Sequence, residues 1–204
     1  MRVISGERRG FQLKGPAGRF TRPMADRIRE ALFSMLASLG VEPVRVLDLY
    51  AGTGGIGIEA LSRGAESADF VERNAAAAAV VRANLAHTRY LDVTRVFQES
   101  VSAFLSRAER NPRDTAAYDM IFMDPPYADP DLVATLERLG CSPLVESATI
   151  LAIGHSPRVT LPEQAGRLAR LRERCHGDSC FSIYWHVHDH EAGSATVEPN
   201  AGEA

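Results

Sequence analysis

The tetrapeptide Asp124-Pro125-Pro126-Tyr127 combines residues that could hold a planar group bearing an exocyclic amine. Two consecutive prolines fix φ and remove two backbone donors, so the turn is stiff and presents carbonyl oxygens. The Asp124 carboxylate and the Pro125 carbonyl could accept both amine hydrogens while Tyr127 stacks on the ring. This arrangement favours a pyramidal nitrogen whose lone pair can attack an electrophile. An ordinary proline turn after a strand is the alternative interpretation.

A glycine-rich segment, GTGGIG at residues 52–57, has the G-x-G-x-x-G spacing typical of nucleotide-cofactor folds. Its glycines allow a tight strand-to-helix turn and let a ligand approach the main chain. The spacing alone leaves open a nicotinamide dinucleotide or another adenosine-bearing cofactor. Asp48 precedes the loop, and its carboxylate would repel a diphosphate but attract a cation such as the amino group of a methionine moiety. Purely local hydrogen bonding is the alternative role of Asp48.

Glu72 ends the second predicted strand and could accept two hydrogen bonds from a ribose diol. Its alternative role is that of a surface acid on a loop. Because the carboxyl ends of parallel strands meet at one edge of a sheet, Asp48, Glu72 and Asp124 are expected to share one site.

Strands and helices alternate through most of the chain, which indicates a parallel sheet covered by helices on both faces. The predicted strands are VRVLDLY, SADFVE, VTRVFQ, YDMIFMD and SATILAIG. The later segments RLARLRERC and CFSIYWHVH have no helix between them and predict a hairpin at the sheet edge. We therefore predict an α/β, Rossmann-like fold with a mostly parallel seven-stranded sheet and an antiparallel C-terminal hairpin.

Three regions are expected along the chain: a basic, β-rich extension at 1–20, the main domain at 21–188, and a disordered tail at 189–204. The segment ADRIREALFSMLASLG predicts an amphipathic helix that ends at Gly40. Asn74 is expected to cap the alanine-rich helix that follows the second strand.

The net charge of −3 over 204 residues conceals an uneven distribution. Residues 1–30 hold eight basic and three acidic side chains, a balance of +5, which favours contact with a polyanion at this end. A solvated surface is the alternative. There is no apolar run long enough to span a bilayer and no secretory signal in the opening residues, so a cytoplasmic location is expected.

Three cysteines, Cys141, Cys175 and Cys180, form an odd set without C-x-x-C spacing, which predicts neither a structural disulfide nor a zinc site. Cys175 and Cys180 are expected to point into a small core. His186, His188 and His190 alternate and could bind a transition metal, but without an accompanying carboxylate cluster we expect no metal.

Together the motifs resemble the bacterial 16S rRNA guanine-N2 methyltransferase family of class I S-adenosylmethionine-dependent methyltransferases. The resemblance covers roughly residues 1–188. It is carried by MRVISGERRGFQL, TRPMADRIREALFSML, VLDLYAGTGGIGIEALSRGA, FVERN, FMDPPY and HGDSCFSIY. The TRPMADRIREALF string separates this family from DNA amino-methyltransferases of the same fold.

This resemblance implies S-adenosylmethionine as cofactor, 16S rRNA as substrate, free or within a partly assembled small subunit, and a monomer. The implied cofactor-binding residues are Asp48, Ala51, Gly52, Gly54, Glu72, Glu99 and Ser100. The implied catalytic residues are Asp124, Pro125, Pro126 and Tyr127, and the implied RNA-binding residues are Arg2, Arg9, Arg22 and Arg27. Relatives often place an acid after the third strand to meet the cofactor adenine, and here Glu99 or Ser100 would take that place.

The mechanism expected from these residues is direct methyl transfer from a sulfonium to the amine of a base flipped out of its stack. Three alternatives stay open at the level of sequence. They are a DNA adenine-N6 or cytosine-N4 methyltransferase, an NAD(P)-dependent oxidoreductase, and a non-catalytic RNA-binding protein.

Overall fold

The structure is a computed structural model that describes residues 1–15, 26–126 and 129–187. Five α-helices are present in these ranges: α1 (Asp26–Ser38), α2 (Gly55–Ser62), α3 (Ala75–Thr88), α4 (Val101–Arg110) and α5 (Leu132–Gly140). The strands are β1 (Arg45–Leu49), β2 (Ser67–Val71), β3 (Thr94–Phe97), β4 (Tyr118–Met123), β5 (Val145–His155), β6 (Gln164–Ala165), β7 (Leu168–His176) and β8 (Ser179–His186). Arg22, Tyr127, His188, His190 and the predicted tail at 189–204 lie outside the described residues.

All eight strands form one sheet in the order β3-β2-β1-β4-β5-β8-β7-β6. The first five of these are parallel, whereas β8 pairs antiparallel with β5, and β7 with β8. The chain builds outward from β1 through β2 to β3 and then returns to place β4 on the other side of β1. This reversal opens a crevice at the carboxyl ends of β1 and β4, where ligands bind in open α/β sheets.

The Rossmann-like α/β fold with its C-terminal hairpin is confirmed, and the strand count is corrected from seven to eight. The additional strand, β6, spans only two residues and pairs with β7. A two-residue strand is too short to produce a periodic pattern in the sequence.

Helices cover both faces of the sheet, so the central strands are apolar on both sides. On one face, Phe70 and Phe122 pack with side chains of α1, α2 and α3. On the opposite face, Leu47 and Ile121 pack with α4 and α5. In the described ranges, no helix is long and apolar enough to cross a membrane.

The N-terminal segment packs against α2 and makes a short antiparallel contact with itself, in which the Val3 N–H donates to the Phe11 carbonyl and the Leu13 N–H to the Met1 carbonyl, both at 3.0 Å. Its only β-pairing in residues 1–15 is an isolated bridge between Arg2 and Gln12. Val3 is buried in the core, and the N–H groups of Ile4 and Ser5 donate to the Glu59 carboxylate at 2.7 and 3.0 Å. Buried contacts with α2 and this short antiparallel pairing together fix the segment.

The tip of the β7–β8 hairpin corrects the interpretation of the cysteines. Cys175 and Cys180 face each other in register and form a disulfide. Cys180 is buried, but Cys175 is exposed, so the pair does not enclose a small core. Gly177, with φ of 60°, lies between the paired residues His176 and Ser179, and this tight turn sets the register.

Candidate functional site

The crevice between β1 and β4 contains a pocket that brings together four of the predicted site residues, Asp48, Ala51, Gly52 and Asp124. Six further residues that the sequence analysis did not assign to the site also line it. They are Met1, Arg29, Tyr50, Thr53, Gly55 and Ile56. The pocket is thus built from the ends of two neighbouring strands, the loop after β1, the first turn of α2, and two residues from earlier in the chain.

The loop after β1 turns sharply through three residues in the left-handed region. Tyr50 has φ of 60°, Gly52 of 56° and Gly54 of 77°. Glycine adopts such angles freely, whereas Tyr50 does so at a cost of roughly 1–3 kcal/mol. The Gly54 N–H donates to the Ala51 carbonyl at 2.7 Å, which closes the turn. The first turn of α2 is thereby directed at the pocket.

Asp48 is buried at the floor of this loop, with 1% of its surface exposed. Its Oδ2 accepts a hydrogen bond of 2.9 Å from the Gly57 N–H in α2. Burial raises the pKa of Asp48 well above its ordinary value, and the nearby carboxyl groups of Asp124 and Glu72 add to that rise. A cationic ligand would favour the charged form of this group, because an opposite charge lowers a carboxyl pKa.

Gly57 has a packing role between α2 and the sheet. A Cβ at this position would lie 2.4 Å from the Phe70 ring and 3.2 Å from Oδ2 of Asp48. The absence of a side chain therefore lets α2 approach β2 and lets its backbone reach Asp48.

Asp124 follows β4 at the opposite wall of the pocket. Its N–H donates to the Leu49 carbonyl at 3.4 Å, which holds it beside the end of β1. Burial of its carboxyl group raises the pKa of Asp124 to about 6. Pro125 is buried and Pro126 exposed, and the Pro126 carbonyl accepts a hydrogen bond from Asp129. Tyr127, the last residue of the motif, is outside the described residues.

Glu72 lies beside the glycine loop. Its Oε2 accepts from the Gly52 N–H at 2.9 Å and its Oε1 from the Asn74 N–H at 2.7 Å. Two backbone hydrogen bonds thus fix the carboxylate at the end of β2. Asn74 in turn accepts from the Ala77 N–H and caps α3, which confirms the predicted cap.

Glu99 and Ser100 are occupied by local contacts. The Glu99 carboxylate accepts a 2.7 Å hydrogen bond from Arg107, and the Ser100 hydroxyl oxygen caps α4 by accepting from the Ala103 N–H. Neither residue lines the pocket between β1 and β4. Their assignment to the cofactor adenine stays a prediction.

The predicted RNA-binding arginines that the structure describes, Arg2, Arg9 and Arg27, are exposed and do not line the pocket. The backbone of Arg2 nevertheless contacts a pocket residue, because its carbonyl oxygen accepts a hydrogen bond from the buried guanidinium of Arg29. Arg22 lies outside the described residues. The arginine side chains are therefore available for contacts beyond the pocket itself.

Arg29 is the pocket residue that the sequence could have revealed. It lies on the buried face of α1 with Leu32, Phe33 and Leu36, at helical spacing. A charged residue at such a position is a signal, because arginine is almost never fully buried unless it is paired. The remaining unpredicted residues carry no comparable signal, since Met1 reaches the pocket only through the folding of the N-terminal segment onto α2.

Comparison with known proteins connects this geometry to a group of relatives. The family model described as Conserved hypothetical protein 95 matches residues 1–185. YlbH of Bacillus subtilis is 37% identical over 184 residues, which cover 90% of this chain and 98% of that protein. Ribosomal RNA small subunit methyltransferase D of Escherichia coli is 29% identical over 184 residues, covering 90% of this chain and 89% of that protein.

A solved structure shares the same architecture. The yhhF protein of Escherichia coli superposes with a TM-score of 0.77 at 30% identity, covering 91% of this chain and 97% of that chain. The structural similarity therefore extends over most of the chain.

Proposed function

The chain belongs to the Conserved hypothetical protein 95 family, and on that premise we propose that it transfers a methyl group from S-adenosylmethionine to the N2 amine of a guanine in small-subunit ribosomal RNA. Its relative from Escherichia coli is named as a ribosomal RNA small subunit methyltransferase. The class I methyltransferase fold and the pocket at the carboxyl edge of its sheet agree with this reaction.

The observation that carries the proposal is a pair of carboxyl groups, Asp48 and Asp124, facing one pocket from neighbouring strands. S-adenosylmethionine carries positive charge on its sulfonium and its amino group, which suits an acidic pocket. Burial raises the pKa of both carboxyl groups, so each gains from a nearby cation. The same acidic pocket disfavours the diphosphate of an NAD(P) cofactor, which would meet two carboxyl groups.

The residues present fit this cofactor. Gly52 and Gly54 turn the loop back, and the missing side chain of Gly57 lets the backbone of α2 meet Asp48. When bound, S-adenosylmethionine supplies an electrophilic methyl group. Asp48 would hold the amino end, and Glu72, fixed at the end of β2, would accept from the ribose hydroxyls.

Asp124 would act directly on the acceptor amine. Its carboxylate and the Pro125 carbonyl accept the amine hydrogens and orient the nitrogen lone pair, with Tyr127 stacking on the base. As the nitrogen becomes positive, the carboxylate stabilises that charge. A pKa of about 6 leaves Asp124 mostly ionised at neutral pH and able to accept the departing proton.

Guanine in RNA is the acceptor that the family resemblance favours. The base must leave its stack to reach the pocket, which costs a few kcal/mol in a duplex and less in a loop. Exposed Arg2, Arg9 and Arg27, together with Arg22, would contact RNA phosphates around the pocket. We propose that a monomer performs this reaction on rRNA, either free or within a partly assembled small subunit.

Mass spectrometry of nuclease-digested rRNA tests the proposal directly. The protein is incubated with S-adenosylmethionine and either small-subunit rRNA from cells lacking this protein or partly assembled subunits from the same cells. We expect one new N2-methylguanosine, absent with the Asp124→Asn variant. Methylation of duplex DNA but not of either RNA substrate would instead favour the DNA amino-methyltransferase alternative.

Cofactor choice has a separate test in thermal unfolding. We expect S-adenosylmethionine to raise the midpoint of unfolding, whereas NAD(H) and NADP(H) leave it unchanged. Stabilisation by a nicotinamide cofactor alone would overturn the proposed reaction.

A further inference from the structure

The tip of the β7–β8 hairpin lies at the same edge of the sheet as the pocket. Strand β5 runs parallel to β4 and pairs Ile153 with Met123, so its last residues lie beside Asp124. Strand β8 begins at this edge, because Cys180 pairs with His155 at the end of β5. Strand β7 ends here as well, since it is antiparallel to β8 and is joined to it by the tight turn. The last residues of β7 therefore share an edge with the proposed active site.

The register of the strands aligns Arg174 with Asp124 across the sheet. Phe181 on β8 pairs with Gly154 on β5 and with Arg174 on β7. Asp124 follows Met123 at the end of β4 and so lies beside Gly154. Three strand spacings separate the backbones of Arg174 and Asp124, which corresponds to roughly 14 Å. This distance suits a contact with a nucleotide that flanks a base held at Asp124.

Arg172 and Arg174 project to the face of the sheet on which the pocket opens. Residues that pair across antiparallel strands have their side chains on the same face. Arg172 pairs with Ile183 and Arg174 with Phe181. Ile183 and Phe181 pack in the core with side chains of α1 and α2, the two helices that line the pocket. The two guanidinium groups are therefore on the pocket side of β7.

The charges of these two arginines are not compensated. Arg172 and Arg174 are exposed, and neither forms an ion pair with a residue that the structure describes. Arg170 on the same strand, by contrast, is paired with Glu163 and, at 3.2 Å, with Glu173. The whole chain has a net charge of −3, so two unpaired arginines level with the pocket create a local attraction for phosphate groups.

An exposed indole extends this basic surface along β8. Trp185 is 46% exposed and lies two residues after Ile183, so it projects to the same face. Its partner on β7 is Ala169, whose small side chain leaves the ring accessible. Arginine side chains next to an exposed aromatic ring are the combination that binds single-stranded nucleic acid, through its phosphates and its bases.

We propose that Arg172, Arg174 and Trp185 form a hairpin surface that binds the RNA strand flanking the target guanine. The two guanidinium groups bind phosphates, and the indole stacks on an unpaired base. This inference rests on the proposed function and adds substrate contacts from the C-terminal hairpin to those of the N-terminal arginines. The disulfide between Cys175 and Cys180 joins the two strands one residue beyond Arg174 and so fixes the hairpin surface before RNA binds.

The salt dependence of RNA binding tests the phosphate contacts. The affinities of the wild type and of Arg172→Gln/Arg174→Gln for small-subunit rRNA from cells lacking this protein are measured by filter binding between about 50 and 200 mM salt. Each phosphate contact with a single strand contributes about 0.7 to the slope of log affinity against log salt. The double variant should therefore lose about 1.4 from this slope and bind about 10-fold more weakly near physiological salt. Equal slopes and affinities would overturn the inference.

Arg110→Gln/Arg113→Gln is the matched control. Arg110 and Arg113 are also exposed, but they lie between α4 and β4, at the opposite edge of the sheet. This control should keep the wild-type slope and affinity. In methylation assays, the hairpin variant at Arg172 and Arg174 should raise KM for rRNA about 10-fold and change kcat less than about twofold, because its guanidinium groups contact neither the acceptor amine nor the cofactor. A loss of kcat at unchanged KM would contradict the inference.

Trp185→Leu separates stacking from charge. We expect this variant to bind rRNA about 5- to 100-fold more weakly, the range for loss of one base stacked on an aromatic ring, while the salt slope stays that of the wild type. Unchanged affinity would contradict the role given to Trp185. If a double variant does not fold, as monitored by circular dichroism, the single substitutions of Arg172 and Arg174 decide, and each should lower the slope by about 0.7.

Two outcomes distinguish this inference from the proposed function. If the wild type methylates neither free rRNA nor partly assembled subunits, the proposed function itself fails. If the wild type is active and the hairpin variants are defective only toward subunits, with free rRNA bound as tightly as by the wild type, a protein component of the subunit occupies the hairpin surface. That result would overturn the inference and leave the proposed function in place.

Discussion

Two buried aspartates on adjacent strands, Asp48 on β1 and Asp69 on β2, have opposite surroundings. Asp69 accepts hydrogen bonds from Nε and Nη2 of Arg95 at 2.9 and 2.5 Å and from the Tyr118 hydroxyl at 2.6 Å. Asp48 accepts, from the described residues, one backbone hydrogen bond. The two side chains project to opposite faces of the sheet, since Phe70, next to Asp69, packs on the face of Asp48.

This difference indicates that Asp69 stabilises the fold, whereas Asp48 is available to bind a ligand. Asp69 has a full set of partners within the chain, and its charge is satisfied before any ligand arrives. Asp48 and Asp124 face a pocket with few partners, and burial raises the pKa of each. Buried groups whose pKa values are shifted in this way are concentrated at functional sites.

The largest expected effect is on the rate of methyl transfer, and it comes from substitution of Asp124 in the pocket. Asp124→Asn should lower the rate of methyl transfer by about 10²- to 10⁴-fold, because it removes the charge that stabilises the amine and accepts its proton. Cofactor affinity, measured in parallel by calorimetry, should fall by less than about tenfold, because Asp48 supplies the carboxyl group assigned to the cofactor ammonium. A variant with near wild-type rates under single-turnover conditions would exclude a catalytic role for this carboxylate.

On the structural side, Asp69→Ala should lower the free energy of unfolding by about 2–4 kcal/mol, since it leaves Arg95 and the buried Tyr118 hydroxyl without their acceptor. Urea denaturation measures this change. The affinity for S-adenosylmethionine of the folded variant should match the wild type. A selective loss of cofactor affinity at unchanged stability would contradict the assignment of Asp69 to the fold.

In contrast to Asp69→Ala, Asp48→Asn should weaken cofactor binding without lowering the free energy of unfolding. We expect a loss of cofactor affinity of about 10- to 100-fold, because a neutral amide attracts the ammonium far less than a carboxylate. The free energy of unfolding at neutral pH should not fall, since asparagine can still accept from the Gly57 N–H and carries no buried charge. Reduced stability with intact affinity would mean that Asp48, like Asp69, serves the fold.

The smallest expected effect is on the pH dependence of stability. The folded-state pKa of Asp124, about 6, is above its ordinary value of 3.8, so the folded chain binds the proton more tightly than the unfolded chain. This contribution to stability is complete below about pH 4 and is lost as the pH rises through 6. From pH 4 to 7.5, Asp124→Asn should therefore gain about 1–2 kcal/mol relative to the wild type.

Denaturation of both proteins across this pH range measures the gain. Methyl transfer by the wild type should show the opposite trend and rise as the pH increases through about 6, because the carboxylate is the active form. Parallel stability curves for the two proteins would contradict the raised pKa.

Local patterns predicted most of the fold. Helix α1 lies within the predicted segment ADRIREALFSMLASLG, and Asn74 caps α3 as expected. These features depend on short-range periodicity and capping, which neighbouring residues determine. The two-residue β6 and the attachment of the N-terminal segment to α2 depend on tertiary contacts, so they were not predictable in this way.

The disulfide between Cys175 and Cys180 could have been predicted from the sequence. The hairpin around HGDS was predicted, and a two-residue turn at Gly177-Asp178 pairs His176 with Ser179 and therefore Cys175 with Cys180. Counting cysteines without applying this register led to the wrong prediction that no disulfide forms.

The sequence by itself determined the order of elements, the glycine loop and the acids at the ends of β1, β2 and β4, because each depends on residue type and spacing along a short stretch. Only the tertiary structure decided which acids line the pocket and which cation lies there with them. Arg29 precedes Asp48 by 19 positions and Asp124 by 95, and the packing of α1 against α2 brings its guanidinium to their pocket. The strength of the interaction between two charges depends on their distance and their burial, and both are defined only in the folded chain.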